Sequence, residues 1–229
     1  MVTVEADPVG VESRLMAGRV DCPGCSGVLR PWGWARPRRV HGIGGVLRPR
    51  RGRCGGCRVT HVLLPVTVLL RRAYAAEVIG AALLARAGGH GYRWIGAVLE
   101  VPVATVRGWL RVVGGRLEAV RVRLWQVAHR AGVDVAVPQA LGCPWRDLLA
   151  VLGAATAAVT GRFGLFGVLG VVTAWQVAVA CVRLVGSWHP GGPRLVGRDR
   201  QHESPLTLLA VNRKPRGGHT RAGPGVGVP

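Results

Sequence analysis

Apolar residues recur at helical spacing through the middle of the chain. Between residues 70 and 113 they form three stretches: one that stops at Gly88 and Gly89, one over residues 92–99, and one that follows Pro102. Two short helices joined by a turn of three or four residues are the skeleton of a helix-turn-helix. The pattern therefore predicts a three-helix unit over residues 70–113, with a helix-turn-helix in its second half.

A longer helix is predicted next along the chain. In residues 116–131, four apolar side chains share one side of the helix, and arginines occupy much of the remainder. We assign this amphipathic helix to residues 114–135 and expect it to pack against the three-helix unit, with contact to DNA or pairing with a second subunit as the alternatives.

Charged residues become rare from Leu148 onward. A run of twenty uncharged residues, 163–182, is long enough to cross a membrane. The run also contains three glycines and the polar residues Thr173 and Gln176, which favour buried helices instead. We predict a hydrophobic helical region over residues 140–188, buried in a core or in a homodimer interface, with a membrane span near 163–182 as the alternative.

The two ends of the chain show no periodicity. Residues 1–18 lack the basic start and the apolar core of a signal peptide, so we expect a flexible leader on a cytoplasmic protein. Residues 189–229 are polar, basic and rich in Gly and Pro, a composition typical of a disordered tail.

Four of the six cysteines form two C-x-x-C pairs, Cys22 with Cys25 and Cys54 with Cys57. A pair on a tight turn directs both sulfurs to one point, and two such turns together can enclose a tetrahedral metal ion. The surrounding Gly, Pro and Arg residues do not match the strand-to-helix turn of a redox motif, which favours metal binding over redox chemistry. We predict a zinc ribbon of short strands over residues 19–66, with one structural Zn²⁺ in a closed shell of four thiolates.

Basic charge surrounds the cysteine pairs. The formal net charge of the chain is +20, and eleven arginines but no acidic residue lie between Cys22 and Ala76. Such a local field favours an anionic partner, either nucleic acid or an acidic membrane surface. We expect five arginines of the hairpin between the pairs to contact phosphates or to enter a minor groove: Arg36, Arg38, Arg39, Arg50 and Arg51.

The aromatic and histidine residues of this hairpin region are assigned structural roles. Packing within the small module is favoured for Trp32 and Trp34, with base stacking as the alternative. His41 and His61 are not expected to bind the metal ion, because two complete cysteine pairs fill a tetrahedral shell.

The stretch YRWIGAVLEVPVATVRGWL, residues 92–110, resembles the helix-turn-helix of bacterial transposases and resolvases. The matching positions are Arg93, Ile95, Gly96, Leu99, Thr105, Val106, Trp109 and Leu110. Together with the cysteine pairs, this part of the chain is similar to an uncharacterised bacterial family of zinc-ribbon, helix-turn-helix proteins found around mobile elements. The resemblance implies double-stranded DNA as the partner, bound by a transposase-like recognition module or a transcriptional regulator. The turn departs from the pattern, since it carries Val101 and Pro102 where Gly or Ser is common.

The helix after this turn is the candidate recognition helix. With Val106 and Trp109 facing inward, its outward residues are Ala104, Thr105, Arg107, Gly108 and Arg111. Arg107 is the best candidate for a bidentate contact with guanine, and Gly108 lets the helix approach the DNA closely. Arg93 and Arg111 are expected to contact phosphate.

We predict that the protein is not an enzyme, because the few acidic residues beyond Trp109 lie on no strand pattern that could bring them together around metal ions.

The predicted fold is mainly α: a small N-terminal zinc ribbon with short strands, a three-helix helix-turn-helix unit and a hydrophobic helical C-terminal region. One alternative is a DNA-binding regulator anchored in the inner membrane and facing the cytoplasm. Another is the remnant of a transposase whose catalytic part is lost or separately encoded.

Overall fold

A computed structural model describes residues 1–69, 73–132, 135–136, 138–163 and 173–183. About half of these residues are helical, in seven helices, and the rest include a small mixed sheet. The strands are β1 (Val2–Val4), β2 (Leu29–Trp34), β3 (Arg38–Arg39), β4 (Val46–Leu47), β5 (Arg50–Cys54) and β6 (Thr60–Pro65). The helices are α1 (Pro8–Met16), α2 (Ala76–Ala87), α3 (Tyr92–Val98), α4 (Val103–Gly114), α5 (Leu117–Ala131), α6 (Pro144–Phe163) and α7 (Ala174–Arg183).

The N-terminal residues form part of the sheet module, by which we mean residues 1–66 with strands β1 to β6 and helix α1. The sheet has the strand order β1-β6-β5-β2, with β1 parallel to β6 and the other pairs antiparallel. A flexible leader over residues 1–18 is therefore the wrong expectation. The side chain of Asp7 caps α1 by accepting hydrogen bonds from the N–H groups of Val9 and Gly10, and Pro8 supplies a preset first helical residue.

Helix α1 covers one face of the sheet, which we call the inner face. Leu15 of α1 and Leu29 of β2 are fully buried there, and Gly52 of β5 leaves space for both side chains. Arg14 of α1 also forms an ion pair with the buried Glu5, at 2.7 Å from Nη1 to the carboxylate. These contacts explain why a segment with only two inward-facing apolar residues is ordered by the sheet beside it.

Helices α2, α3 and α4 share one core, as the apolar periodicity predicts. Ile79, Ile95, Val106 and Trp109 are all buried in it. Four residues, 99–102, connect α3 to α4, and Glu100 in this turn has a φ of 53°, in the left-handed region that favours glycine.

The remaining helices form a second core. Leu124 of α5, Leu152 and Ala155 of α6, and Val177 of α7 are buried together. No helix within the described ranges is long and apolar enough to cross a membrane. Nine of the twenty residues of the alternative span at 163–182, namely residues 164–172, lie outside the described residues, as does the predicted tail at 189–229.

Two helical glycines are expected to respond in opposite ways to replacement by Ala. A Cβ at Gly96 would lie 2.9 Å from the carbonyl oxygen of Val101, whereas a Cβ at Gly108 would meet nothing within 4 Å. Gly108→Ala should raise the free energy of unfolding by up to about 1 kcal/mol, the helix propensity difference. Gly96→Ala should lower it by about 1–3 kcal/mol, because the backbone of the turn must shift. Chemical denaturation of both variants measures this, and effects of the same sign would contradict the packing of α3 on the turn.

Candidate metal centre and arginine surface

The two cysteine pairs lie at neighbouring turns of the sheet. Cys22 and Cys25 lie in the turn that leads into β2, and Cys54 and Cys57 lie where β5 turns towards β6. Each turn is closed by a backbone hydrogen bond. The N–H of Cys22 donates to the carbonyl oxygen of Gly27 at 2.8 Å, and the N–H of Cys54 donates to the carbonyl oxygen of Val59 at 2.9 Å. The pairing of Leu29 on β2 with Cys54 on β5 brings the two turns together.

The four sulfur atoms are spaced for one metal ion. All four lie within 4.8 Å of one another, with 3.7 Å between the Sγ atoms of Cys22 and Cys57 and 3.4 Å between those of Cys25 and Cys54. A tetrahedral shell with metal–sulfur bonds of about 2.3 Å has sulfur atoms about 3.8 Å apart, whereas disulfide sulfurs are separated by about 2.0 Å. The four predicted ligands therefore form a cluster of unlinked thiols that can hold a single metal ion.

The protein environment shifts the pKa values of Cys22 and Cys54 in opposite directions. Burial raises the pKa of Cys22 to about 11. Burial acts in the same direction on Cys54, but hydrogen bonds from the N–H groups of Cys57 and Gly56 and from the thiol of Cys25 outweigh it and lower the pKa to about 6. Because a metal ion binds thiolates, metal binding must displace the proton of Cys22. The affinity for metal is therefore expected to fall as the pH falls.

His61 lies beside the centre, which the sequence did not indicate. Its Nε2 is 3.5 Å from the sulfur of Cys22, and its Nδ1 is 3.0 Å from the amino group of Met1. Burial, followed by the nearby positive amino group, lowers the pKa of His61, so the ring is neutral at pH 7. Because the amino group donates to Nδ1, Nε2 carries the proton and donates to the sulfur. His61 thus supports a cysteine ligand rather than replacing one.

The candidate recognition residues lie where the periodicity places them. On α4, Val106 and Trp109 are buried, whereas Ala104, Arg107 and Arg111 are exposed and Thr105 and Gly108 are half-buried. The guanidinium carbon of Arg107 lies 5.8 Å from the centre of the Tyr92 ring on α3. Residues 104, 107, 108 and 111 follow helical spacing and share one side of α4, and Arg93 is exposed on the adjacent α3.

The hairpin arginines are not equivalent. Arg36 and Arg39 are exposed, and Arg38 and Arg51 are half-buried. Arg50 must be removed from the predicted phosphate contacts, because its Nε and Nη2 donate to the carboxylate of Glu12 on α1 at 2.6 and 2.9 Å. A third bond, from its Nη1 to the carbonyl of Gly33, fixes the side chain further. Glu12, whose carboxylate neutralises Arg50, belongs to residues 1–18, the segment predicted to be flexible.

The hairpin tryptophans are on the surface. Trp32 is 52% exposed and Trp34 is 49% exposed, so the interpretation of both as core residues is wrong. Arginines lie over both rings: Arg53 over Trp32 at 4.4 Å from its centre, and Arg50 over Trp34 at 4.7 Å. Alternation along β2 would have indicated this exposure for Trp32, since Leu29 faces inward three residues earlier.

Comparison of the chain with known protein families, curated proteins and solved structures finds no match. The resemblance to transposase DNA-binding regions therefore stays a prediction, and the functional argument rests on the geometry of the chain itself.

Replacing Cys54 and Cys57 together with Ser is expected to abolish metal binding and unfold the sheet module, since a structural metal ion contributes folding free energy directly. Elemental analysis and circular dichroism of the purified variant measure both effects. Cys143→Ser is the matched control, because Cys143 precedes α6 outside the cluster, and it should keep one metal ion per chain. A double variant that keeps one ion per chain would show that these cysteines are not the ligands.

Gly27→Ala is expected to weaken metal binding by about 10-fold to 100-fold, the range seen for changes beside metal ligands. A Cβ at this position would lie 2.8 Å from the sulfur of Cys54 and 3.3 Å from that of Cys25. Gly24→Ala in the same turn is the control, since its Cβ would approach nothing closer than 3.8 Å. Competition with a chelator gives both affinities, and equal values would refute close packing of the sulfurs on Gly27.

Proposed function

We propose that the protein is a zinc-stabilised DNA-binding protein that reads double-stranded DNA with α4 and has no catalytic domain of its own. In this proposal the N-terminal sheet module is a zinc ribbon, and α3 and α4 form a helix-turn-helix. Its role is that of a transposase-like recognition module or a transcriptional regulator.

The donor set supports zinc as the metal. Four cysteine thiolates in a tetrahedral arrangement are the ligands of structural zinc sites, and iron is the other common metal for such a set. With four protein ligands, no coordination position is left for a water molecule or a substrate. The ion would therefore hold the two turns together rather than catalyse a reaction.

The observation that carries the DNA-binding proposal is the surface of α4. Its exposed side presents two arginines, Arg107 and Arg111, around the small residues Ala104 and Gly108, while Val106 and Trp109 anchor the opposite side in the core. A recognition helix needs this combination, because a helix with small outward residues can enter the major groove and long arginines can then reach base edges and phosphates. The empty space around Gly108 leaves the backbone of α4 open to a close approach.

The charge of the chain supports the same partner. The formal net charge is +20, and the sheet module contributes exposed arginines at positions 36 and 39. When arginines neutralise phosphates, counterions are released from the DNA. Binding that depends on these arginines therefore weakens steeply as the salt concentration is raised. A homodimer through the C-terminal helices would present two copies of α4 to an inverted repeat, and this arrangement stays a prediction.

Selection of duplexes from a random pool by the full-length, zinc-loaded protein tests the proposal. Enrichment of a defined motif at moderate salt is the expected result, and an inverted repeat would indicate two recognition helices per site. Salt-sensitive binding without enrichment would refute sequence reading by α4 and leave only a general attraction to phosphate. Elemental analysis of the protein purified without added metal tests zinc separately.

Arg107→Ala is expected to cost about 1–3 kcal/mol on the selected motif and to relax the preference at one base pair, because a bidentate contact with guanine would be lost. Repeating the selection with the variant measures both effects. Arg123→Ala is the control, since it removes one exposed charge from α5 and should leave the motif unchanged. Equal weakening on all sequences would assign Arg107 to a phosphate instead.

A further inference from the structure

The sheet presents a second basic surface, on the side that α1 does not cover. Along β2 and β5 the residues directed to this outer face are Arg30, Trp32, Arg51 and Arg53, because Leu29, Gly52 and Cys54 face α1. Arg30 pairs directly with Arg53, and Trp32 is the diagonal neighbour of Arg53. We call these four residues the outer sheet face.

A bulge separates Trp32 from the other exposed tryptophan of this strand. The register of β2 against β5 shifts between Pro31 and Trp34, and Gly33 within the shift has a φ of 103°. The shift pairs Trp34 with Arg50, whose side chain turns towards Glu12 of α1. Trp34 therefore lies on the α1 side of the sheet and not on the outer sheet face.

The outer sheet face combines an accessible aromatic ring with positive charge. Trp32 is 52% exposed, and the guanidinium carbon of Arg53 lies 4.4 Å from the centre of its ring. Arg30 is exposed and Arg51 is half-buried, and β6 adds the uncharged residues Thr60 and Val62 beside them. Since residues 22–76 include no Asp or Glu, no acidic residue of these strands offsets the charge.

An exposed tryptophan ring among arginines matches an unpaired nucleotide better than a duplex. The bases of a duplex are already stacked on one another, whereas an unpaired base offers its face to an aromatic side chain. Arginines around the ring hold the adjacent phosphates, and sheet surfaces with exposed aromatic residues are a common platform for single strands.

We propose that the outer sheet face is a binding site for single-stranded DNA, with one base stacked on Trp32 and the flanking phosphates held by Arg30, Arg51 and Arg53. The choice of DNA over RNA rests on the proposed function of α4, whereas the stacking itself does not. The site gives the protein a contact with unpaired DNA that uses other residues and other chemistry than the major-groove contact of α4.

The test uses the full-length, metal-loaded protein and a fluorescein-labelled thymidine strand of about ten nucleotides, within the site sizes known for single-strand platforms. Trp32→Ala should weaken binding by about 5-fold to 150-fold, since stacking contributes about 1–3 kcal/mol per base. Trp32→Phe should retain most of the affinity because it keeps an aromatic ring. Trp34→Ala is the matched control, which removes an equally exposed tryptophan from the opposite face and should change the affinity little.

An abasic strand of the same length separates stacking from charge without any change to the protein. It should bind the wild type as weakly as the thymidine strand binds Trp32→Ala, because only the phosphate contacts remain. Equal affinity of the wild type for the two strands, or unchanged binding by Trp32→Ala, would overturn the proposal. Arg107→Ala should leave thymidine binding unaltered, so failure of this site and failure of duplex reading by α4 give different results.

Discussion

The N-terminal module depends on the convergence of four cysteine sulfurs between two turns of one small sheet. The core beneath these turns contains few large residues, among them Leu15, Leu29 and Leu63, and two of the cysteines are themselves part of it. A core of this size supplies little stability by itself, so a metal ion bound between the turns would contribute a large share of the folding free energy. The pairing of β2 with β5 brings these turns together, and it also places Leu29 in the core beside Leu15 of α1.

The same module shows how a strongly basic segment is accommodated in a compact structure. Its strands contain no acidic residue, and the neutralising groups Glu5 and Glu12 come from the N-terminal segment, where they bond to Arg14 and Arg50. On the other side of the sheet, Arg30 and Arg53 donate instead to the uncharged backbone carbonyls of Met16 and Arg58, which do not neutralise them. That asymmetry separates a structural arginine such as Arg50 from the arginines available to an anionic ligand.

The helical part separates structural from exposed positions in a similar way. Position 96 has no space for a larger side chain, because the turn before α4 lies directly against α3. The buried Val106 and Trp109 hold α4 in a fixed orientation. Gly108 lies on the side of α4 that is opposite to the buried Val106, and it has open space around it. Two glycines in neighbouring helices therefore have different physical roles, one in packing and one on the surface proposed to meet DNA.

The sequence by itself determined the cysteine cluster and helices α2 to α5, because both depend on short-range spacing. Two residues between the cysteines of each pair direct both sulfurs to one side of a turn, and periodic apolar residues define the buried side of each helix. The tertiary structure alone decided the order of residues 1–18, the removal of Arg50 from the DNA candidates, the exposure of both hairpin tryptophans and the position of His61 beside Cys22. Each of these depends on strand register or on contacts between distant residues, such as the 38 positions that separate Glu12 from Arg50. Local spacing contains no information about such contacts, since they form only when the whole sheet is assembled.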